Sequence, residues 1–384
     1  MNFDYTEEQE SVRKMIQDFT AKEITPFASQ WDKEETFPWD VVKKMGQLGI
    51  FGTAIPEEYD GGGFDNITHA IVAEELGRGC SSLRGCYSVQ ISLVTKTILE
   101  FGNEEQKQKY VPGLAAGEIF GCYGLTEPDS GSDAASMKTT AVEDGDHYIL
   151  NGNKMWITNA GIADVAIIFA KTDKEAGARG ITAFLVDKDT PGFSTKDIHD
   201  KLGLKASNTA EIILDNCRVH KSAILGPIGK GFRVAMGALD HGRYTVAAGC
   251  VGAAQGALDA SKQYAKERIQ FGKPIAGHQL VQQMISDMTV EIEAGRLLVY
   301  RAGHTKNMGK KSTRDVCIAK YYTSEMVNRV TYKATQIFGG YGFSGEYPVE
   351  RFYRDARINT LYEGTSQIQQ LIIGNFELGI PAFT

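Results

Sequence analysis

Apolar residues recur at helical spacing through the first hundred positions of the chain. Thr6, with Gln9 three residues on, makes a capping box, and Val12, Met15, Ile16 and Phe19 follow on one face. Pro26 closes that helix. A second periodic run covers 67–76, and a third, around 88–101, is ended by Gly102-Asn103. Near Phe120 the pattern changes. Short β-type runs at 147–150, 165–170, 181–186 and 210–214 are separated by turn formers, and Asn151-Gly152 predicts a hairpin. Helical periodicity returns after Gly229-Lys230-Gly231. Over 280–295 the positions Val281, Met284, Ile285, Met288 and Ile292 form an amphipathic face suited to a bundle.

This order predicts an α+β protein in three parts: an N-terminal α-helical domain (1–120), a middle antiparallel, barrel-like β-domain (121–228) and a C-terminal four-helix bundle (229–384). The strand–helix alternation of a Rossmann sheet is missing, as is a GxGxxG after a strand, so a nucleotide cofactor would be held another way. A length of 384 residues exceeds one ordinary core, and 42% hydrophobic with 23% charged residues describes a globular chain. A net charge of −7 argues against nucleic acid as a main partner. Six cysteines without CxxC spacing and seven histidines without HxxxH or HExxH support neither a disulfide framework nor a metal site. The acidic N-terminus lacks a secretory signal and no run of about twenty apolar residues appears, so a cytoplasmic protein without a membrane span is expected.

Several segments carry candidate chemistry. YGLTEPDSGSD (123–133) reads alone as an ordinary loop, although its Gly and Ser also suit close backbone approach to a flat or phosphorylated ligand. Trp156, in WITN, is either core or a ring that stacks on another, with Thr158 as a donor. Asp240-His241-Gly242-Arg243 opens a long helix, Arg268 lies at a helix end, and QIFGGYGF (336–343) ends a helix in glycines. In LYEGTSQIQ (361–369) a carboxylate stands between an aromatic ring and a glycine, with small hydroxyls after it rather than before it, the reverse of a helix start.

Taken in order, YGLTEPDSGSD, WITN, ERIQFGKPI, QIFGGYGF, EYPVERFYRDARI and YEGTSQIQ make the chain resemble the acyl-CoA dehydrogenase family of flavoproteins over 3–383. The resemblance implies FAD as cofactor, an acyl-CoA substrate, electron-transferring flavoprotein as electron acceptor and a homotetramer. It makes Glu363 the catalytic base for the proton alpha to the thioester, while hydride leaves the beta carbon for the flavin. A pocket poor in water would raise the pKa of that base, and donors at the thioester oxygen would stabilise the enolate. Those donors would be the Glu363 N–H and a flavin ribityl hydroxyl. Gly364 would admit the thioester, and Thr365 and Gln367 would reach toward the FAD adenosine. Tyr123, Leu125, Thr126, Gly131 and Ser132 would line flavin and CoA, and Trp156, Ile157 and Thr158 would cover the isoalloxazine. Arg268, Phe271, Gln279, Gln336, Ile337, Phe338, Gly339 and Gly340 would hold the rest of FAD, partly from a neighbouring subunit. Asp240 and Arg243 would lie along the CoA pantetheine. Some members place the base at the position of Gly242, where glycine cannot serve.

SSLRGCYSVQISLV (81–94) further resembles the glutaryl-CoA dehydrogenase subgroup, in which an arginine at the position of Arg84, with Ser88 nearby, meets the distal carboxylate of a dicarboxylyl-CoA. Tyr362 matches the decarboxylating members, which yield crotonyl-CoA, and Phe383 matches a residue near CoA. Gly85 and Cys86 depart from the subgroup and leave room for a bulkier dicarboxylate such as a substituted succinyl-CoA. The alternatives are a short-chain or cyclic monocarboxylic acyl-CoA dehydrogenase, an acyl-CoA oxidase, and a non-catalytic CoA-ester-binding protein on the same fold.

Overall fold

The structure, a computed structural model, describes residues 4–382. Phe3 and Phe383, and with Phe383 its expected CoA contact, lie outside the described residues. The N-terminal part is helical: α1 (Glu7–Phe19), α2 (Ala28–Glu34), α3 (Trp39–Gln47), α4 (Asn66–Gly79), α5 (Ser81–Ser88), α6 (Lys96–Phe101) and α7 (Glu104–Ala116). The capping box forms as the sequence predicts, with Thr6 and Gln9 exchanging 3.1 Å hydrogen bonds. Between α5 and α6 the chain stays helical through a π-helical stretch, Val89–Thr95. Such widened turns often mark functional sites, and this one packs against α8.

The middle part is an eight-stranded sheet: β1 (Gly121–Gly124), β2 (Thr140–Asp144), β3 (His147–Thr158), β4 (Val165–Lys171), β5 (Ile181–Asp187), β6 (Phe193–Asp197), β7 (Thr209–His220) and β8 (Ile224–Leu225). Their order is β6-β7-β3-β2-β4-β5-β8, with β1 beside β4. The barrel expected from the sequence does not close, because β6 and β8 end the path unpaired with each other. Nor is every pairing antiparallel. β1 runs parallel to β4, and β2 meets β4 in parallel at a single pair, Thr140 with Lys171. Two half-sheets therefore join at a thin seam. The hairpin also lies elsewhere than predicted. Its turn is Gly145-Asp146, between the paired Asp144 and His147, with Gly145 at φ 59°. Asn151-Gly152 instead forms an irregularity inside β3 opposite β7, where the Asn151 side chain accepts from the Asn216 N–H at 2.8 Å. β4 and β5 are buried almost throughout, which explains their unbroken apolar sequences.

The C-terminal part holds α8 (Gly231–Glu267), α9 (Gln279–Asn307), α10 (Thr313–Phe338), α11 (Val349–Ala356) and α12 (Ser366–Leu378). α8, α9 and α10 pack along one another and α12 lies on α10, giving the expected bundle. α8 begins nine residues before Asp240, so Asp240–Arg243 sits in its third turn rather than at its start. Met288 and Ile292 of α9 are buried, while Leu280 is 73% exposed. All six cysteines are free and buried. No helix of the described residues is long and apolar enough to cross a membrane.

Candidate active site

Glu363 is held in a turn between α11 and α12 that side chains from distant helices fix in place. Its backbone is left-handed at φ 53°, and Gly364 follows at φ 89°. Arg243 Nε of α8 donates to the Glu363 carbonyl at 3.1 Å, and Lys320 Nζ of α10 donates to the Gly364 carbonyl at 2.7 Å. Gln369 Nε2 reaches both carbonyls, at 3.2 and 3.1 Å. Thr365 then caps α12, its hydroxyl accepting from the Ile368 N–H. A carboxylate ahead of the hydroxyl is thus a residue before a helix, held in a strained conformation that needs such over-determination.

The carboxyl group of Glu363 points inward. Its Oε2 is buried without a hydrogen-bond partner. Burial pushes its pKa up to about 7 against the opposing charges of Arg84, Lys320 and Arg243. The wall beside it is Gly242, where an added Cβ would sit 2.2 Å from Oε2 and 2.7 Å from Leu93 Cδ2. Even a methyl group there must displace the acid. Gly242→Ala is expected to cut turnover roughly 10²-fold with its folded content unchanged, since an ångström of misplacement costs about that much; steady-state kinetics beside circular dichroism would check it.

Arg84 of α5 lies beyond Glu363. It is 2% exposed, and its partners are two neutral hydroxyls: Tyr362, to which Nη2 donates at 2.5 Å, and Ser88, to which Nη1 donates at 3.4 Å. Burial pushes Tyr362 up to about 12, so it stays neutral, and its O–H donates to Asn359 Oδ1 at 2.8 Å. Arg84 Nε is buried without a partner. Gly249 of α8 makes the space, because a Cβ there would come within 2.4 Å of the Arg84 side chain. A sealed guanidinium supported only by neutral groups is costly unless an anion joins it.

The β-domain residues expected at the cofactor fall into two kinds. Trp156 is 61% exposed at φ 62°, not core, and Thr158 is half-buried at the end of β3. The loop from Leu125 runs alongside, joined where the Met155 N–H donates to the Thr126 carbonyl at 2.9 Å; Gly131 and Ser132 are exposed on it. Tyr123 and Ile157, by contrast, spend their side chains in the cores, Tyr123 donating to the Ala235 carbonyl at 3.1 Å. Only their main chain is left to face a ligand.

A separate cleft of about 580 Å³ is lined by Arg268, Ile337, Phe338, Gly339 and Gly340 together with Tyr264, Gln270 and Tyr341. Arg268 stands 5.5 Å over the Tyr341 ring, and Phe338 stacks on Tyr264 at 4.1 Å. A cation and two glycines whose Cβ positions meet nothing within 4 Å fit a nucleotide with its phosphates on the Arg268 side, with Glu346 also on the lining. Gln336, Gln279 and Gln367 are exposed outside this lining, and Phe271 is 95% exposed. Asp240 pairs with Arg243 at 3.1 Å and accepts from the Thr313 hydroxyl. Lys320 and Gln369 were missed in the sequence. The burial of Lys320 leaves a faint trace there, since it shares a helical face with Val316, Cys317, Thr323 and Ser324.

Comparison with known proteins bears on this geometry. The family models described as acyl-CoA dehydrogenase N-terminal, middle and C-terminal domains match residues 6–118, 122–217 and 229–378. The chain is 47% identical to the glutaryl-CoA dehydrogenase of Desulfococcus multivorans, over 99% of each chain. A solved glutaryl-coenzyme A dehydrogenase in complex with glutaryl-CoA superposes with a TM-score of 0.96 at 46% identity, over 99% of this chain and 97% of that one. Butyryl-CoA dehydrogenase from Megasphaera elsdenii superposes equally well, with a TM-score of 0.96 at 41% identity, over 98% of this chain and 100% of that one.

Proposed function

Because the chain belongs to the acyl-CoA dehydrogenase family, FAD-dependent oxidoreductases acting on CH–CH groups, we propose that it dehydrogenates the CoA thioester of a dicarboxylic acid, glutaryl-CoA first. One observation carries the choice of acyl group: Arg84 is buried beside Glu363 with only neutral partners. Bound FAD supplies the acceptor for a hydride from the beta carbon. The chain supplies the rest.

Glu363 Oε2, free of hydrogen bonds and with its pKa near neutrality, takes the alpha proton. An ordinary carboxylate in water is too weak a base for that task, and burial narrows the gap. The Glu363 N–H, which makes no hydrogen bond among the described residues, donates to the thioester oxygen as charge develops there. Arg243, Lys320 and Gln369 hold the turn so that the N–H and the carboxylate of one residue face one substrate. Arg84 binds the distal carboxylate with paired N–H groups, and Ser88 and Tyr362 orient it. Arg268 and Gly339–Gly340 hold the phosphates of FAD, with Trp156 and Thr158 at its ring. Asp240 and Arg243 border the path of the pantetheine. Electron-transferring flavoprotein receives the electrons.

Three further copies of the chain complete the assembly, a homotetramer. Phe271 and Phe343, 95% and 93% exposed, are large apolar rings that contact with another copy would cover. Phe271→Glu is expected to split the oligomer and weaken FAD binding together; light scattering and flavin content would show it.

Substrate and product identification tests the reading: anaerobic bleaching of the flavin by glutaryl-CoA and by butyryl-CoA, with products weighed by mass spectrometry. Glutaryl-CoA is expected to bleach it faster, and the product mass separates glutaconyl-CoA from the decarboxylated crotonyl-CoA that Tyr362 favours. Preference for butyryl-CoA would instead support a monocarboxylic substrate, the reading favoured by the equal superposition of butyryl-CoA dehydrogenase. No bleaching by any ester would leave only a binding protein.

A further inference from the structure

Glu127 lies within YGLTEPDSGSD and Lys154 stands two residues before WITN, yet both side chains are sealed from solvent, 4% and 0% exposed. Lys154 Nζ donates to Glu127 Oε1 at 2.7 Å and to the Leu125 carbonyl at 3.2 Å, and lies 4.0 Å from Met137 Sδ, which engages all three of its protons. The Glu127 carboxylate also accepts from the N–H groups of Lys138, at 2.5 Å, and Thr139, at 3.0 Å. Gly124 lets the lysine stem pass, since a Cβ there would lie 3.3 Å from Lys154 Cγ. One buried pair thus joins β3 to both ends of the 125–139 loop.

The loop joins β1, which runs beside β4, to β2, which meets β4 at a single residue pair. On the other side, the pairing of β3 with β7 slips register between Lys154 and Ile157, which leaves Trp156 without a ladder partner and at φ 62°. Ile157 and Thr158 regain their partners on β7, but between the loop and the turn the main chain supplies a single hydrogen bond, from the Met155 N–H to the Thr126 carbonyl, and none holds Trp156 in the ladder. We propose that the Glu127–Lys154 ion pair is a positioning clamp that sets the distance between the 125–132 loop and the Trp156–Thr158 turn, so that together they receive the flavin ring. This rests on the placement of the ring under Proposed function. An apolar pair of similar volume would serve stability as well; what the charged pair adds is a fixed spacing, because one ammonium grips Leu125 and Glu127 at once.

The test uses full-length protein freed of FAD and reconstituted, as wild type, Lys154→Met, Glu127→Gln, the double variant Lys154→Met/Glu127→Gln, which keeps an acceptor for the Lys138 and Thr139 N–H groups, and Trp156→Ala. The FAD dissociation constant, the flavin absorbance band and Tm are measured for each. Each single clamp variant is expected to bind FAD roughly tenfold more weakly, or worse, with a shifted band. The double variant, with no charge left unpaired, regains Tm but not affinity. Affinity within twofold of wild type and an unmoved band in Lys154→Met would overturn the clamp, whatever Tm does. Should that variant not fold, Glu127→Gln, which keeps an acceptor for the Thr139 N–H, decides by the same criterion. A band that Trp156→Ala moves and the clamp variants do not removes the clamp alone. A band that Trp156→Ala also leaves in place removes the ring's placement.

Discussion

Glu363→Gln is expected to keep its FAD and lose turnover by about 10³-fold or more, the scale of a positioned general base. Glutamine matches the shape of the acid, and the main-chain grip of Arg243, Lys320 and Gln369 does not involve the side chain that changes. The same variant is expected to gain stability at neutral pH. Burial lifts the carboxyl from its ordinary range to about 7, so the fold disfavours the ionised form. The stability this group contributes is complete below its unfolded pKa of about 4.3 and is lost as pH rises through 7. Glu363→Gln escapes that loss. Thermal unfolding should show the variant above wild type at pH 8 and level with it at pH 4, by at most about 4 kcal/mol and less for whatever water reaches the group.

Arg84→Met is the second large effect, and its two consequences have opposite signs. For glutaryl-CoA, kcat/KM is expected to fall roughly 10²-fold or more, because the distal carboxylate would enter a pocket with nothing to pair it. Butyryl-CoA, which has no such group, should lose little. Stability should hold or rise, since the variant removes a buried charge that only the Ser88 and Tyr362 hydroxyls support. Arg84 is also the largest charge restraining the pKa of Glu363, so the apparent pKa of the base should climb above 7. Loss within threefold for glutaryl-CoA would remove the dicarboxylate reading while leaving the dehydrogenase standing.

What could be read in advance follows the range of the forces involved. Helix periodicity and capping are local, and the three-part order, the Thr6 cap and the C-terminal glycine stop at Gly339 all stand in the structure. The hairpin was misplaced by a few residues because Asn151-Gly152 and Asp144-Gly145 carry nearly the same turn chemistry. Only the pairing with β7 shows that the first is an irregularity within a strand. Trp156 could not be told from a core tryptophan, since its exposure depends on a register slip involving a strand some fifty residues away. The charges of Asp240–Arg243 suit a first turn and so predict a helix start there, whereas the true start lies at Gly231. At the site, Glu363 and Arg84 were legible through resemblance, but their nearness was not. The grip of Lys320 and Gln369 on the turn, the gap left by Gly242 and Gly249, and the Glu127–Lys154 pair all arise between distant segments, and no local pattern announces them.

The central claim is that one buried carboxylate removes the proton that begins the reaction. Its most direct test is the second-order rate constant for anaerobic flavin reduction by glutaryl-CoA, followed by stopped flow across pH in wild type and Glu363→Gln. Wild type should gain about tenfold per pH unit in the acidic range and level off above an apparent pKa near 7, while Glu363→Gln should reduce its flavin barely at all. A flat profile in wild type, or rapid reduction in the variant, would contradict it.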